Sequence, residues 1–534
     1  MRSERVSERE CGGVVASTFP SWPKFDAMIV AGLLALATPC PSYPPLAPWE
    51  YLLADRGVIA ALETVERDLF STAAAKLPSG FVASIVYNQT TIASIGYGKR
   101  KPEPDAPPPS GKDLVRIASI TKTFTDLLGY KLRDAGTVSL DEPVTKYFPG
   151  FEMLHLGRTR GRITLRNLMS HLSGLPRELP YPCSFDGKQC TEAEVVKLLK
   201  EQVPVLAPYR RFHYSNLGIA VAGRALAHAA GKTTTSYEAL LGTEVLAPLG
   251  MVNATFDTSE ALAADRIAVG VHPDGKPLNL SATCTPAEGA PGSWLAPCGC
   301  LWASADDLAL LMKLFFRDDL PADDKSQIVD GDTIHELLSP QVLMRDGYEA
   351  IGSPWEMVYL PKSKIWAKGK QGELPGYRSS VQLIEPLKLG VFTSALVSDV
   401  DSPTVWTQDA LEILTPAIMS ALWKLQKPGS IGPSTELLVG RYYDGSVSVK
   451  LEGKSTLYLR LSPTAKPLSL TYVESVSTKQ THVYRAAPVN STSTCRSLDD
   501  GQDLEYAYFT LQEGNAAHAD HLRFMSGLYA FYGP

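Results

Sequence analysis

The sequence predicts an α/β (α+β) fold, with an antiparallel sheet flanked by helices and an all-helical region, followed by a small all-β domain. Three observations support this. The segment GFVASIVYNQTTIASIGYGKR, residues 80–100, alternates apolar and polar residues around a turn, as a β-hairpin does. Helical patterns then dominate until strand patterns return at residues 378–395, so the two ends of this region should build one sheet. After residue 433, short alternating segments separated by turns predict a barrel or a sandwich.

Shifts in composition divide the chain into three parts. Residues 1–40 form a predicted leader, residues 41–427 the main domain, and residues 433–534 the all-β domain. The segment PGSIGP, residues 428–433, separates the last two parts, because proline and glycine interrupt regular structure. We therefore predict a domain boundary there.

The leader contains one apolar run, AMIVAGLLALAT, at residues 27–38. It is too short to cross a bilayer, which takes about 20 apolar residues, but it has the length of a signal peptide. The Ala-Leu-Ala at residues 35–37 supplies a small-x-small cleavage pattern, and Met28 is an alternative start. We therefore predict a secreted, extracellular protein with no stable membrane span. The alternative is a buried N-terminal helix.

Two further patterns fit an exported glycoprotein with disulfide bonds. Asn-x-Ser/Thr sequons, which are candidate glycosylation sites, occur at Asn88, Asn253, Asn279 and Asn490. Beyond Cys11 and Cys40 in or near the leader, an even set of cysteines remains: Cys183, Cys190, Cys284, Cys298, Cys300 and Cys495. Such a set predicts three disulfides, although six cysteines allow about fifteen pairings.

One pairing is predicted individually. The segment PYPCSFDGKQCTEAE, residues 180–194, reads as an inserted loop, and a Cys183–Cys190 disulfide would close it. Metal binding is the rival interpretation of the cysteines. Cys298-Gly-Cys300 lacks the two-residue spacing of a zinc knuckle, and no histidine pair has metalloprotease spacing. We expect no metal and no cofactor.

The charge balance argues against one class of partner. The net charge is −6, and the sequence has no long basic run. Proteins that bind nucleic acid usually carry a concentrated positive surface, so no nucleic-acid partner is expected. The composition, 44% hydrophobic and 20% charged, is that of a soluble globular protein.

The segment RIASITKTFTDLLGYKL, residues 116–132, predicts an amphipathic helix that opens with Ser119 and Lys122. Residues three apart share a helix face, so the lysine amine can reach the serine hydroxyl. The helix N-terminus favours a developing alkoxide, and a partly dry lysine beside other cations can act as a base. The alternative is that Ser119 caps the helix and that Lys122 is solvated.

Two further segments carry polar groups suited to the same chemistry. In RFHYSNLGIAVAGRAL, Tyr214 and Asn216 precede a helix and share one face of an extended segment. The alternative there is a packed tyrosine and a helix-capping asparagine. In AKGKQGELPGYRSSVQL, Lys370 enters a strand, and Gly372 leaves room for a substrate against the strand edge. The backbone N–H of Glu373 would form an oxyanion hole with that of the serine.

Ser-x-x-Lys, Tyr-x-Asn and Lys-x-Gly, in this order, resemble the serine beta-lactamase and penicillin-binding-protein superfamily. The similarity is greatest to class C beta-lactamases and their relatives among esterases and D-amino-acid peptidases. The segments GTVSLDEPVTKYFPGF and ITLRNLMSHLSGLPRE are also typical of that family, and the resemblance spans about residues 75–425. It implies a serine beta-lactamase/DD-peptidase-like fold, and relatives often carry a C-terminal β-barrel.

The resemblance also implies a role for each motif. Ser119 would be the acylated nucleophile, Lys122 its base or base partner, and Tyr214 the proton relay. Asn216 would orient the substrate, and Lys370 would line the cleft opposite. Lysine in the third motif is the lactamase-like choice, whereas many esterase-like members carry histidine there.

A second cation near the base has a physical consequence. Two unit charges about 4 Å apart repel by roughly 4 kcal/mol at an effective dielectric near 20. We therefore hypothesise that Lys370 holds Lys122 neutral or favours the Tyr214 phenolate, and that Lys370 also attracts an anionic substrate group.

Three functions fit these residues. The first is a secreted serine hydrolase that cleaves an ester or amide, including a lactam or lactone, through a Ser119 acyl-enzyme. The second is an acyltransferase of the same fold in natural-product biosynthesis, and the third is a non-catalytic binding protein. For the enzymes, the expected partner is a small-molecule or short-peptide acyl substrate. The sequence leaves the substrate's identity and the oligomeric state open.

Overall fold

The structure is a computed structural model. It describes residues 43–44, 46–154, 163–183, 189–231, 236–257, 259, 262, 265–278, 284, 293–317, 326–398, 403–425, 435–443, 445–452, 456–465, 467–476, 481–488, 506–511, 519–524 and 527–533. The predicted leader, two sequons and one cysteine lie outside these residues: residues 1–40, Asn279, Asn490 and Cys495. The chain divides into two compact units, Tyr43–Lys427 and a second that contains Pro428–Pro534.

The first unit is built on an eight-stranded antiparallel sheet within the described residues, in the order β2-β1-β10-β9-β8-β7-β6-β5. In a separate antiparallel pair, β3, which comes just before the turn that contains Ser119, pairs with β4 at residues 302–303. The strands are β1 Phe81–Tyr87, β2 Thr90–Tyr97, β3 Val115–Arg116, β4 Trp302–Ala303, β5 Val342–Leu343, β6 Glu349–Ile351, β7 Glu356–Leu360, β8 Ile365–Leu374, β9 Tyr377–Ile384 and β10 Leu389–Ala395.

The predicted hairpin and the predicted closure of the sheet are both confirmed. Strands β1 and β2 pair in antiparallel fashion around a tight turn, and β1 also pairs with β10 from the far end of the unit. Asn88 makes the turn with a φ of 50°, a left-handed conformation that asparagine tolerates better than most residues. Every residue of β1 is buried, as expected for a strand covered on both faces.

Helices cover the two faces of the sheet. One face packs against the N-terminal helices and the long last helix, and the other packs against the helical region that holds Ser119. The helices are α1 Trp49–Leu52, α2 Arg56–Glu63, α3 Thr72–Ala75, α4 Thr121–Asp134, α5 Leu165–Met169, α6 Glu192–Leu199, α7 Asn216–Ala229, α8 Tyr237–Leu241, α9 Ala296–Gly299, α10 Ala305–Phe315, α11 Gly331–Leu337 and α12 Pro403–Leu425. Wider π-type turns occupy Thr64–Ser71 and Gly242–Leu246.

The second unit contains a closed barrel in which β11 to β18 follow one another in chain order. Of the two architectures that the alternating segments predict, the structure therefore has the barrel. Alternate residues of its strands point inward, and Tyr442, Leu459 and Phe509 are among the side chains buried there. The strands are β11 Gly440–Tyr442, β12 Val447–Glu452, β13 Thr456–Arg460, β14 Leu468–Val476, β15 Thr481–Pro488, β16 Tyr506–Leu511, β17 Ala519–Phe524 and β18 Gly527–Gly533.

The described cysteines confirm one predicted disulfide and correct another expectation. Cys183 and Cys190 are joined, and a second disulfide joins Cys284 to Cys300. The prediction that all six cysteines pair is wrong for Cys298, which is a free, buried thiol. Its Sγ donates a hydrogen bond to the carbonyl of Leu295 (3.2 Å), and burial raises the pKa of the thiol to about 11.

Two of the four sequons lie on described residues. Asn88 and Asn253 are both partly exposed, and the Asn253 side-chain oxygen accepts a hydrogen bond from Arg266 (2.9 Å). Glycosylation at either position stays a prediction. No helix in the described part of the chain combines the length and the apolar character that crossing a membrane requires.

Candidate active site

Ser119 lies in a single 3-10 turn, Ala118–Ile120, that leads into α4. The residue before the serine, Ala118, has a φ of 47°, which is strained for a residue with a Cβ. No side chain caps this helix start, so the alternative of Ser119 as a helix cap is not what the structure has. Instead Lys122 Nζ donates a hydrogen bond to Ser119 Oγ (2.9 Å), and the Tyr214 hydroxyl donates another (2.7 Å).

Lys122 is completely buried one turn into α4. Besides the serine, its Nζ donates a hydrogen bond to the backbone carbonyl of Cys298 at 2.5 Å, and it lies 5.0 Å from the centroid of the Tyr214 ring. Both hydrogen-bond acceptors are uncharged. Lys122 therefore has no ion-pair partner among the described residues.

Tyr214 lies between two lysines. Burial by itself raises the pKa of its phenol, but the charges of Lys122 and Lys370 outweigh burial, and the pKa is lowered from its usual value. Glu356 opposes this effect and raises the pKa. The lowered pKa favours the phenolate, which could accept a proton from the serine.

His171 supports the tyrosine ring from the other side, with ring centroids 4.4 Å apart in a stacked arrangement. Its Nδ1 accepts a hydrogen bond from the backbone N–H of Ser215 (3.1 Å), which joins the histidine to the start of α7. Burial, then the charges of Lys122 and Lys370, hold the pKa of His171 well below its usual range. The ring is therefore neutral and fixes the position of Tyr214 rather than adding a charge.

Lys370 projects from β8 and is almost fully buried, with 1% of its side chain exposed. Its Nζ forms an ion pair with Glu356 of β7 (2.5 Å) and donates to the carbonyl of Gln371 (3.1 Å). Burial alone would lower the pKa of Lys370, but Glu356 and Tyr214 outweigh it and raise the pKa. This lysine therefore stays protonated, and its charge is balanced inside the protein.

Gly372 brings β8 against the turn that carries the serine. A Cβ at this position would lie 2.9 Å from the backbone nitrogen of Ser119 and closer still to the carbonyl of Ile117, so any side chain would clash with backbone. The next residue, Glu373, pairs with Arg378 of β9 and lines the cavities on either side of the serine. The glycine thus places the strand edge directly beside Ser119.

Asn216 is the first residue of α7, and Ser215 rather than the asparagine caps that helix, with its Oγ accepting from Gly218 N–H (2.8 Å). The side-chain amide of Asn216 donates to both carboxylate oxygens of Glu178, at 3.0 and 2.9 Å. The alternative of a capping asparagine is therefore wrong, and the amide is held by a carboxylate that the sequence patterns did not indicate.

Two cavities meet at Ser119. One, of about 540 Å³, is lined by Arg177, Glu178, Asn216 and His272, together with the serine. The other, of about 510 Å³, lies along β8 and has the following residues among its lining: Ser119, Tyr214, Glu349, Glu356, Lys370, Gln371, Gly372 and Arg378. A substrate carbonyl bound at the serine would therefore have room for a group on each side.

Comparison with known proteins identifies the family of this chain. The family described as Beta-lactamase matches residues 67–412, more than half of the chain. The chain belongs to the beta-lactamase family. A relative from Dictyostelium discoideum, "Beta-lactamase-like protein 2", is 34% identical over 513 residues, which are 91% of this chain and 89% of that protein.

Two further similarities are to a bacterial carboxypeptidase/endopeptidase and to a solved structure. "D-alanyl-D-alanine-carboxypeptidase/endopeptidase AmpH" from Escherichia coli K12 is 36% identical over 175 residues, 32% of this chain and 43% of that protein. The solved class C beta lactamase from Rhodobacter sphaeroides has the same fold, with a TM-score of 0.52 and 20% identity over 69% of this chain and 99% of that chain.

The sequence patterns did not predict a role for four polar groups at this site. His171 lies within a segment typical of the family, so its position was visible but its role was not. Glu178 follows in the same segment, two residues after a proline. No sequence pattern pointed to Glu356. The fourth group is the backbone carbonyl of Cys298, which accepts from Lys122 and which no pattern of side chains can reveal.

Proposed function

We propose that this member of the beta-lactamase family is a serine hydrolase that cleaves an ester or amide, including a lactam or lactone, through an acyl-enzyme on Ser119. One observation carries the proposal: Lys122, buried in α4, and Tyr214, partly buried in the loop before α7, both donate hydrogen bonds to Ser119 Oγ. A serine that serves only structure has no need of two such partners. Activation of a hydroxyl by an adjacent base is the usual requirement for nucleophilic catalysis.

When Tyr214 is deprotonated, the hydrogen bond reverses and the Ser119 hydroxyl donates to the phenolate. In acylation, the proton of Ser119 Oγ passes to this phenolate while Oγ forms a bond to the substrate carbonyl carbon. Lys122 and Lys370 stabilise the phenolate by their charges, which is why the pKa of the tyrosine is lowered. The carbonyl π-electrons move to oxygen and give a tetrahedral oxyanion. The backbone N–H groups of Ser119 and Glu373 would donate to that oxyanion, and the approach of Gly372 to the serine nitrogen supports this assignment.

Collapse of the oxyanion breaks the bond to the leaving alcohol or amine, which takes the proton from Tyr214. Water then attacks the acyl carbon while the same tyrosine accepts a proton from that water. As the acyl–Oγ bond breaks, Tyr214 returns this proton to Ser119 Oγ, so that the free serine and the phenolate are both restored. Asn216 and Lys370 would contribute to the walls of the substrate site. The acyltransferase differs only in the acceptor, an alcohol or amine in place of water.

Secretion forms part of the same proposal. Its support is the pair of disulfides, Cys183–Cys190 and Cys284–Cys300, because disulfides persist in oxidising compartments. Glycosylation at Asn88 or Asn253 would follow from passage through such a compartment.

A fluorophosphonate probe with intact-mass readout tests the mechanism. We expect one covalent adduct on the wild-type chain and none on Ser119→Ala, with peptide mapping placing the adduct on Ser119. Ester turnover should fall to the uncatalysed rate in the same variant. Labelling or turnover that survives in Ser119→Ala would contradict the proposal, and a thermal melt identical to wild type would show that the variant is folded.

A further inference from the structure

The cations that line the two cavities share one property. In the described part of the chain, Lys370, Arg177 and Arg378 line these cavities, and each has a carboxylate of its own. The three pairs are Lys370 with Glu356 at 2.5 Å, Arg177 with Glu178 at 3.2 Å, and Arg378 with Glu373 at 3.6 Å. A substrate that enters this site therefore meets balanced charges rather than a positive wall.

The first of these pairs is the most enclosed. Lys370 has 1% of its side chain exposed, against 64% for Arg177 and 26% for Arg378. An ammonium has three N–H donors. Glu356 and the Gln371 carbonyl accept two of them, and the ring of Tyr214, 5.1 Å away, occupies a further side of the amine.

Glu356, in contrast, faces the cavity. A quarter of its side chain is exposed, and it lines the cavity along β8. Its second carboxylate oxygen accepts from the backbone N–H of Gln371 (3.4 Å), so both oxygens are held against the strand that flanks the serine. Three residues earlier, Ser353 donates a hydrogen bond to the buried Asp126 (2.8 Å), which anchors the segment that presents Glu356.

We propose that Glu356 determines specificity: by occupying Lys370, it directs the Ser119 site to acyl groups that carry no carboxylate within reach of that lysine. A substrate carboxylate would find the lysine's charge already balanced and would lie next to a second carboxylate, which repels it. The preferred substrates are uncharged acyl esters or amides. This inference rests on the proposed function, and it is an alternative to the sequence-based hypothesis that Lys370 attracts an anionic group.

A pair of matched esters tests the proposal. The 4-nitrophenyl esters of hexanoic acid and of adipic acid (as the monoester) have acyl chains that differ only in a terminal methyl or carboxylate. After subtraction of the spontaneous rate, we expect wild type to prefer the hexanoyl ester in kcat/KM by about tenfold, the scale of one charge-assisted hydrogen bond. Equal kcat/KM values for the two esters would overturn the proposal.

Glu356→Gln should reduce that preference by about tenfold, chiefly by raising kcat/KM for the carboxylate-bearing ester, because it frees the charge of Lys370 while keeping an acceptor for the amine. Adding Lys370→Met to this variant should abolish the gain. Glu385→Gln is the matched control, because Glu385 pairs with Lys368 of the same strand while lining neither cavity, and it should leave the preference unchanged.

The outcomes separate this inference from the proposed function. If Ser119→Ala abolishes turnover of both esters but Glu356→Gln leaves their ratio unchanged, the acyl-enzyme stands and the specificity proposal is wrong. If turnover survives in Ser119→Ala, both are wrong. Activity of Glu356→Gln on the hexanoyl ester, together with a thermal melt, shows whether the variant is folded. A variant that does not fold leaves the wild-type preference between the two esters as the deciding measurement.

Discussion

The two sides of the cleft each carry a buried lysine beside Tyr214, and the two lysines differ in their hydrogen-bond partners. Lys122, on the helix side, and Lys370, on the strand side, are both buried, and their amines lie 5.0 and 5.1 Å from the Tyr214 ring. Lys122 donates to a hydroxyl and to a backbone carbonyl. Lys370 is bound to the carboxylate of Glu356.

Because only one of the two amines is bonded to a carboxylate, we expect the two lysines to have different roles. A buried ammonium whose hydrogen-bond acceptors are all uncharged has its charge available to stabilise a negative charge that develops beside it. A buried ammonium with a carboxylate beside it remains a fixed charge. Lys122 is therefore suited to the chemistry itself, and Lys370 to setting the electrostatic environment of Tyr214.

Removal of each lysine should show this difference most strongly. We expect Lys122→Met to lower the rate of Ser119 acylation by about a hundredfold or more, the scale of general-base catalysis, because the Tyr214 phenolate loses a stabilising charge and Ser119 loses a donor. Lys370→Met should lower the rate at the pH optimum by less than about tenfold, because the serine keeps both of its hydrogen-bond donors. Stopped-flow measurement of acylation by a neutral 4-nitrophenyl ester compares the two losses. Equal losses of rate would contradict the proposal that the two lysines have different roles.

The pH dependence of acylation should sharpen the comparison. If the Tyr214 phenolate is the base, the rate falls as the pH drops through the pKa of that tyrosine. Lys370 lowers this pKa and Glu356 raises it, so Lys370→Met should move the acidic limb to higher pH and Glu356→Gln should move it to lower pH. Acylation rates measured from acid to alkaline pH test both directions. Shifts of the same sign in the two variants would show that Tyr214 is not the titrating group.

A small effect is expected at Asp126, one turn beyond Lys122 on α4. Burial raises the pKa of this carboxyl well above its usual value, although Ser353, Lys122 and Lys370 oppose the rise, so the neutral acid is favoured. Asp126→Asn should therefore change acylation by no more than about threefold, since an amide replaces an uncharged acid and keeps an acceptor for Ser353. A loss as large as that of Lys122→Met would instead make Asp126 the missing counterion of that lysine.

Local patterns were enough to predict much of the fold and the motif side chains. The hairpin at residues 80–100 follows from strict alternation, and the helix after Ser119 follows from its apolar period. Gly372 could be interpreted from its chemistry alone, because a missing side chain beside a strand edge indicates a close approach. These signals lie within one element each, where neighbouring residues in the sequence are also neighbours in space.

The partners of those side chains could not be predicted, because each comes from a different element. Glu356 reaches Lys370 only after β7 and β8 pair, and His171 reaches Tyr214 only when α5 packs against α7. The cysteine count also misled, because an even number does not show which thiols come together. Cys298 is turned into the core, and only its backbone carbonyl serves the site.

The left-handed backbone of Ala118, the residue before Ser119, affects the stability of the folded protein. A left-handed alanine destabilises the native chain by about 1 kcal/mol relative to a relaxed backbone, and glycine at that position would relieve the strain. The relief would also widen the range of conformations open to the serine that follows. The stability of the native backbone and the position of Ser119 are therefore coupled at this one residue.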